Sequence, residues 1–259
     1  MAWDSIYVVN DRLATASTEE VKELEDRLHV RVPAGYSEFA HRFGEGVFCG
    51  FLRIYMPRKI LDEHGGFRRK WREDPFWNEG PLIAEDLARA VILGDSLQGD
   101  QLVLHSSRPG TVFVLPHNSE TSWEAGDDLE QALNWICSSG ELVAPISSRY
   151  FESNLDRVRH RFDGPEAGKG VLAMLKRPPG YAAVRKALLG LGVHNSVDES
   201  HPEDGEACIQ LFVREFEGSV TLIEADRLIA LVCRSEDKLS PAFERVVSTL
   251  TGLGFRQAD

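Results

Sequence analysis

The residue types able to do chemistry in this chain are scattered rather than arrayed. Eight histidines are present, and none stands in an H-x-x-x-H or H-E-x-x-H spacing, the pattern that sets two imidazoles on one helix face around zinc. His41 lies beside Arg42 on a helical stretch, and His194 and His201 fall in a polar loop. His105 and His117 stand at strand ends flanking one hairpin, where they could meet as a surface pair. Asp95 and Asp100 share a turn. They could hold a cation through it, or Asp95 could cap the loop by accepting backbone N–H bonds, the favoured reading. An enzyme would draw on His105, His117 and Asp100 as its acid–base set. No G-x-S-x-G elbow, no G-x-x-x-x-G-K-[ST] loop and no G-x-G-x-x-G after a strand is present. The Gly164 to Gly170 stretch has glycines and Lys169 but no strand–loop–helix frame, and reads as linker. The expectation is a chain with no catalytic residue, no metal and no cofactor.

Trp71 and Trp77 have the stronger functional claim. They lie in Phe67-Arg-Arg-Lys-Trp-Arg-Glu-Asp-Pro-Phe-Trp-Asn-Glu-Gly80, where aromatics mix with charges of both signs. Aromatic anchors among charges are the composition of protein interfaces. The other reading is a lid folded over the sheet that buries both rings. The carboxylates Asp62, Glu63, Glu73, Asp74 and Glu79 line the same segment, so the candidate partner-binding set is Trp71, Trp77 and these five acids.

These residues need a frame. Ser17 with Glu20 forms a capping box ahead of Val21, Leu24 and Leu28, which stand at i, i+3 and i+7. Val32-Pro33 stops that helix. Tyr36, Phe39, Ala40 and Phe43 give a second apolar stripe, ended by Gly44 and Gly46. The run from Val47 to Tyr55 predicts a buried strand, and Arg58 to His64 one helical turn or two. Three strands follow as an antiparallel meander, at 90–94, 101–105 and 111–115, with Pro109-Gly110 as a turn signal. Asp127 is expected to cap a helix through Glu130, with Leu129, Ala132, Leu133 and Ile136 inward.

Beyond this, residues 149–180 read as a connector in which Leu155 to Phe162 could be helical, with Arg157, Arg159 and Arg161 on it. Residues 181–259 predict a smaller unit. It holds a helix on Val184, Leu188 and Leu191, a polar acidic loop from Ser196 to Gly205, and strands at 207–216, 219–225 and 228–234. A closing helix opens at Pro241. The whole is α+β: a mostly antiparallel sheet flanked by helices in 1–148, then a small α+β unit with a three-stranded meander.

Charge narrows the partners. The 259 residues carry 29 basic and 41 acidic side chains, a net of −12. Residues 1–148 hold 24 acids against 14 bases, a net of −10. Nucleic acid and anionic membrane both demand a positive face, so a basic protein partner is expected instead. The cysteines Cys49, Cys137, Cys208 and Cys233 lie in apolar runs without C-x-x-C spacing and predict buried free thiols of a reducing cytoplasm. Met1-Ala-Trp-Asp lacks the basic and apolar segments of a signal peptide.

The first 145 or so residues resemble the SUKH superfamily. The likeness rests on Leu28-His-Val-Arg-Val-Pro33-Ala-Gly-Tyr36-Ser-Glu-Phe39, on Ile92-Leu-Gly94-Asp95 followed by Gly99-Asp100, a strand and a Pro-Gly turn, and on the last helix after an acidic cap. Gly44 matches the family glycine after the second helix. The resemblance implies a mostly antiparallel α+β fold without shared catalytic residues. It also implies binding rather than catalysis: many bacterial members look like immunity proteins that neutralise secreted polymorphic toxins, nucleases or deaminases among them, and fungal members resemble regulators of cell-wall synthesis. A toxin that holds a polyanion must be basic, so an inhibitor of net −10 would be drawn to it. The alternative is an intracellular scaffold or regulator of the same fold with another protein partner.

Overall fold

The computed structural model describes residues 3–73, 76–146, 149–155, 157–164, 180–200, 208–223, 228–234 and 240–258. The chain is α+β and divides into two units: Met1–Val8 with Arg12–Leu155, and Val9–Asp11 with Asp156–Asp259. Among the described residues, no helix is long and apolar enough to cross a membrane.

In the first unit, α1 (Thr18–Leu28) starts from the expected capping box. Ser17 Oγ accepts from the Glu20 N–H at 3.2 Å and Glu20 Oε2 accepts from the Ser17 N–H at 2.8 Å. The helix stops at Leu28, four residues before Val32-Pro33, because His29 turns left-handed with φ 50°. Helix α2 (Tyr36–Arg42) then buries Tyr36, Phe39 and Ala40. Phe39 packs on Trp3, Phe43 and Phe151 with ring centroids 5.1–6.0 Å apart, and the Tyr36 hydroxyl donates to the Tyr55 carbonyl at 2.7 Å. Gly44 holds φ 73°, and a Cβ there would overlap the Ala14 carbonyl.

The run expected as one strand is a hairpin, β2 (Gly46–Phe48) and β3 (Leu52–Ile54). Its turn residues Cys49 and Gly50 both take positive φ, 52° and 66°. Two consecutive left-handed residues match the right-handed twist of the strands they join. Helix α3 then runs unbroken from Pro57 to Glu73. Neither Gly65 nor Gly66 interrupts it: each costs about 1 kcal/mol against alanine, and apolar contacts of Ile60 and Phe67 hold the helix on either side. The strands β4 (Ala90–Ser96), β5 (Gln101–His105), β6 (Arg108–Leu115) and β7 (Trp123–Gly126) complete the meander. Pro109-Gly110 lies inside β6 rather than in the turn.

Helix α4 (Leu129–Ser138) is capped by Asp128, not Asp127. Asp128 has the extended backbone a cap needs, and its Oδ1 accepts from the Gln131 N–H at 2.7 Å. Asp127 instead accepts from Thr111 Oγ1 at 2.9 Å. The strand β8 (Tyr150–Ser153) pairs antiparallel with β2 and parallel with β1 (Tyr7–Val8). The sheet order is β1-β8-β2-β3-β4-β5-β6-β7.

In the second unit, the expected meander is β11 (Cys208–Val213), β12 (Gly218–Ile223) and β13 (Leu228–Arg234); with β9 (Arg157–Asp163), β10 (Ser196–Ser200) and β14 (Arg256–Gln257) they form a six-stranded sheet of order β10-β11-β12-β13-β9-β14. The segment expected as a helix is β9 (Arg157–Asp163). The start of the expected polar loop is β10 (Ser196–Ser200), paired with β11. The expected connector 149–180 therefore contributes a strand to each sheet, and its residues 165–179 lie outside the described residues, as do 201–205 of the expected loop. Helices α5 (Tyr181–Gly190) and α6 (Pro241–Gly252) pack Val184, Leu188, Phe243, Val246 and Leu250 into one core with the sheet. All four cysteines are free thiols; Cys208 is half-buried and the others are buried.

Candidate functional site

The carboxylates and histidines with chemical potential are tied into the first sheet. Asp95, on β4, meets Arg53 on β3 through a two-pronged pair, Nε to Oδ1 at 2.7 Å and Nη2 to Oδ2 at 2.5 Å. The register places the two residues directly opposite each other. Asp95 therefore pairs across strands instead of capping the loop. The hydrogen bond to Asp95 raises the Arg53 pKa further, and burial, helped by the Asp95 charge, raises that of the Tyr55 phenol.

The cap falls to Ser96 and Asp100. Ser96 Oγ accepts from the Gln98 and Asp100 N–H groups and donates to Asp100 Oδ2 at 2.5 Å. Asp100 Oδ1 accepts from the His117 N–H at 3.0 Å and lies 2.8 Å from His117 Nδ1. His105 is 2 % exposed, so it does not form a surface pair with His117. Its Nδ1 accepts from the Ser107 N–H at 3.2 Å and lies 2.6 Å from Ser107 Oγ. Loss of solvent lowers its pKa, Arg89 and Arg68 add to this, and Asp86 opposes it. These groups are used in holding turns and strands together. Among the described residues, no group of three or more His, Cys, Asp or Glu could hold a metal ion.

Helix α3 carries Trp71 and three of the predicted acids, Asp62, Glu63 and Glu73. Its 17 residues span about 25 Å. Trp71, on its last turns, is half-buried, with Lys70 Nζ 4.1 Å from its ring centroid. It flanks a groove of about 410 Å³ lined by Trp71, Arg72, Asn78, Ile83, Ala84 and Glu85. Ile83 is 37 % exposed, one of three large apolar side chains left in solvent among the described residues. Lys70 and Arg72 stand in the last helical turn, where cations offset the negative end of the helix dipole.

The structure divides the predicted partner-binding set. Trp77 is 1 % exposed, and its Nε1 donates to the Pro116 carbonyl at 2.9 Å. It is a core residue and offers no surface to a partner; the lid reading holds for this ring. Trp71 alone of the set lines the groove. Asp62 lies nine positions earlier on α3, about 180° around the helix axis, and lines a second cleft of about 260 Å³ with Glu20, Glu23, Arg27 and Arg58. Glu63 is exposed and pairs with Lys59 at 3.6 Å. Glu73 is exposed at the end of α3, about 200° around the axis from Trp71. Glu79 is exposed and accepts from Thr121 Oγ1 at 3.1 Å. Asp74 lies outside the described residues. Sequence reasoning missed Arg72, Asn78, Ile83 and Glu85; the apolar run Leu82-Ile83-Ala84, between Gly80-Pro81 and Glu85-Asp86, was the available signal.

No protein-family model, no curated protein and no solved structure matches this chain. The SUKH resemblance therefore rests on the residues quoted for it.

Proposed function

We propose that this chain is a non-catalytic, cytoplasmic protein-binding module that binds and neutralises a basic cognate toxin. The observation that carries the reading is the Trp71 groove. The half-buried Trp71 ring stands beside the apolar side chains Ile83 and Ala84, and the polar residues Arg72, Asn78 and Glu85 line the same groove. Apolar anchors among polar neighbours are the composition of protein interfaces. The net of −10 on residues 1–148 supports a basic partner by speeding encounter. The α1–α3 cleft adds Glu20, Glu23 and Asp62 to the same unit.

The rival from another class is an enzyme using His105, His117 and Asp100. The internal hydrogen bonds of these three residues favour the binding reading. A scaffold of the same fold with a different partner would use the same groove, and the partner's identity separates the two.

The test is co-expression with the product of the directly adjacent gene. The expected result is relief of growth arrest and a stable complex, both weakened by Trp71→Ala. Undiminished arrest and no complex with a toxic neighbour would refute the immunity reading.

A further inference from the structure

The second unit of this acidic protein carries a basic face. Arg157, Arg159 and Arg161 occupy alternate positions on β9. Successive side chains on a strand point to opposite sides of the sheet, so the three share one face. The intervening residues take the other. Phe162 is 1 % exposed in the core, the His160 ring lies 5.3 Å from that of Phe243, and Val158 packs against the same cluster. Pairing widens the row: β14 sets Arg256 opposite Asp163, and directly paired antiparallel residues project on the same side. Among the described side chains, Arg157, Arg159, Arg161 and Arg256 thus gather with Asp163 at the β9–β14 end of the face, while Asp198 projects on the same face from β10, four strands away from β9.

Their availability differs. Arg157 donates from Nη1 to the Glu217 carbonyl and belongs to the fold. Arg159 and Arg256 are exposed. The Arg161 side chain is 64 % exposed, and its Nε donates to Asp163 Oδ1 at 2.7 Å. That bond fixes the guanidinium through Nε alone.

We infer that the β9–β14 end of this face docks an extended acidic protein segment, whose carboxylates at alternate positions pair with Arg159 and Arg161 while Arg256 takes a further one. Side chains two apart on a strand repeat every 6.6–6.8 Å or so, and an extended peptide repeats its alternate carboxylates at the same interval. A planar guanidinium meets a carboxylate through two parallel hydrogen bonds, which a lysine cannot reproduce. Nucleic acid fits less well. A long polyanion would also meet the repulsion of a chain with net charge −12, which a short segment escapes beyond about 8 Å of screening. Single strands further need aromatic rings to stack on. The neighbours that β13 sets opposite Arg161 and Arg159 are Ala230 and Val232.

Binding of a short labelled peptide alternating Glu and Thr to the full chain tests the proposal. Fluorescence anisotropy at low salt should show binding that weakens as salt rises, and the Gln–Thr counterpart should not bind. Arg159→Gln with Arg161→Gln should weaken binding about tenfold or more, while Arg31→Gln with Arg69→Gln, two exposed arginines of the first unit, leaves it within about twofold. Circular dichroism checks the fold of each variant. If the glutamine pair fails to fold, Arg159→Lys with Arg161→Lys keeps the charge and should still lose affinity several-fold, because the fork is gone. No binding of the Glu–Thr peptide, or equal binding by the arginine variants, would overturn the proposal. So would tighter binding of a single-stranded oligonucleotide of equal charge. Concentration-dependent self-association that vanishes in the Arg159/Arg161 variant would assign the face to a second copy of the chain, and would overturn it too.

Discussion

Trp71 and Trp77 meet edge to face, with ring centroids 4.3 Å apart and planes at 64°. They do different work. Trp77 is sealed at 1 % exposure with its N–H bonded to Pro116. Trp71 leans on it and keeps part of its ring at the groove. Trp77 therefore holds the platform on which Trp71 is displayed. Trp77→Ala is expected to destabilise the first unit by about 3–5 kcal/mol, as for a buried aromatic truncation. Trp71→Ala should cost about 1 kcal/mol of stability and act mainly by speeding dissociation of the partner. Urea denaturation of both variants, with binding kinetics on Trp71→Ala, separates the roles. Equal stability losses would mean the two rings share one role.

Charge should show in the other rate. Neutralising Glu73 and Glu79 to Gln is expected to slow association with a basic partner and flatten its salt dependence, with a modest effect on dissociation. Stopped-flow association at several salt concentrations measures this. An unchanged salt slope would place the electrostatic contribution on other acids, of which Glu20, Glu23 and Asp62 line the second cleft.

Phe39 is 1 % exposed and touches three other rings across α2, β8 and the N-terminal turn. Phe39→Ala should cost about 3–5 kcal/mol, read by chemical denaturation. A loss below about 1 kcal/mol would show that the α2 face can be emptied without consequence, against its burial.

Arg53 and Asp95 lock β3 to β4 through two charged hydrogen bonds, with Asp95 8 % exposed as a residue. Arg53→Met strands that carboxylate and should cost about 1.5–3 kcal/mol. Removing Asp95 as well, with Asp95→Asn, should recover part of the loss, because the uncompensated charge goes with it. A double-mutant cycle reads the coupling, and additive losses would show that the pair contributes nothing as a pair.

His105 gives a pH signature. Burial, then the cations Arg89 and Arg68, hold its folded-state pKa below the ordinary value, with Asp86 opposing. The unfolded chain therefore binds a proton first as pH falls. Stability from the neutral ring is present above about pH 6.5 and is lost as pH drops below it. The single-proton slope is at most about 1.4 kcal/mol per pH unit. His105→Gln should flatten the fall in stability between about pH 7 and 5, measured by urea midpoints at each pH. A parallel fall in wild type and variant would assign the slope to other groups.

What the sequence determined by itself is local and periodic. The Ser17–Glu20 box, the Tyr36–Phe39–Ala40–Phe43 stripe, the strands at 101–105 and 228–234 and the Pro241 helix follow from spacings that one chain segment enforces on itself, so neighbours within a turn or two suffice to show them. The failures lie where distant parts decide. Pro57–Glu73 continues through two glycines because Ile60 and Phe67 are anchored in the core. Arg157–Asp163 is a strand because β13 pairs with it along its whole length, and that pairing turns three arginines that a helix would scatter into one row. Trp71 and Trp77 look alike in sequence, six residues apart in one charged segment. Only tertiary packing, with the Pro116 carbonyl accepting one indole N–H, left the first half-buried at the groove and made the second a core residue.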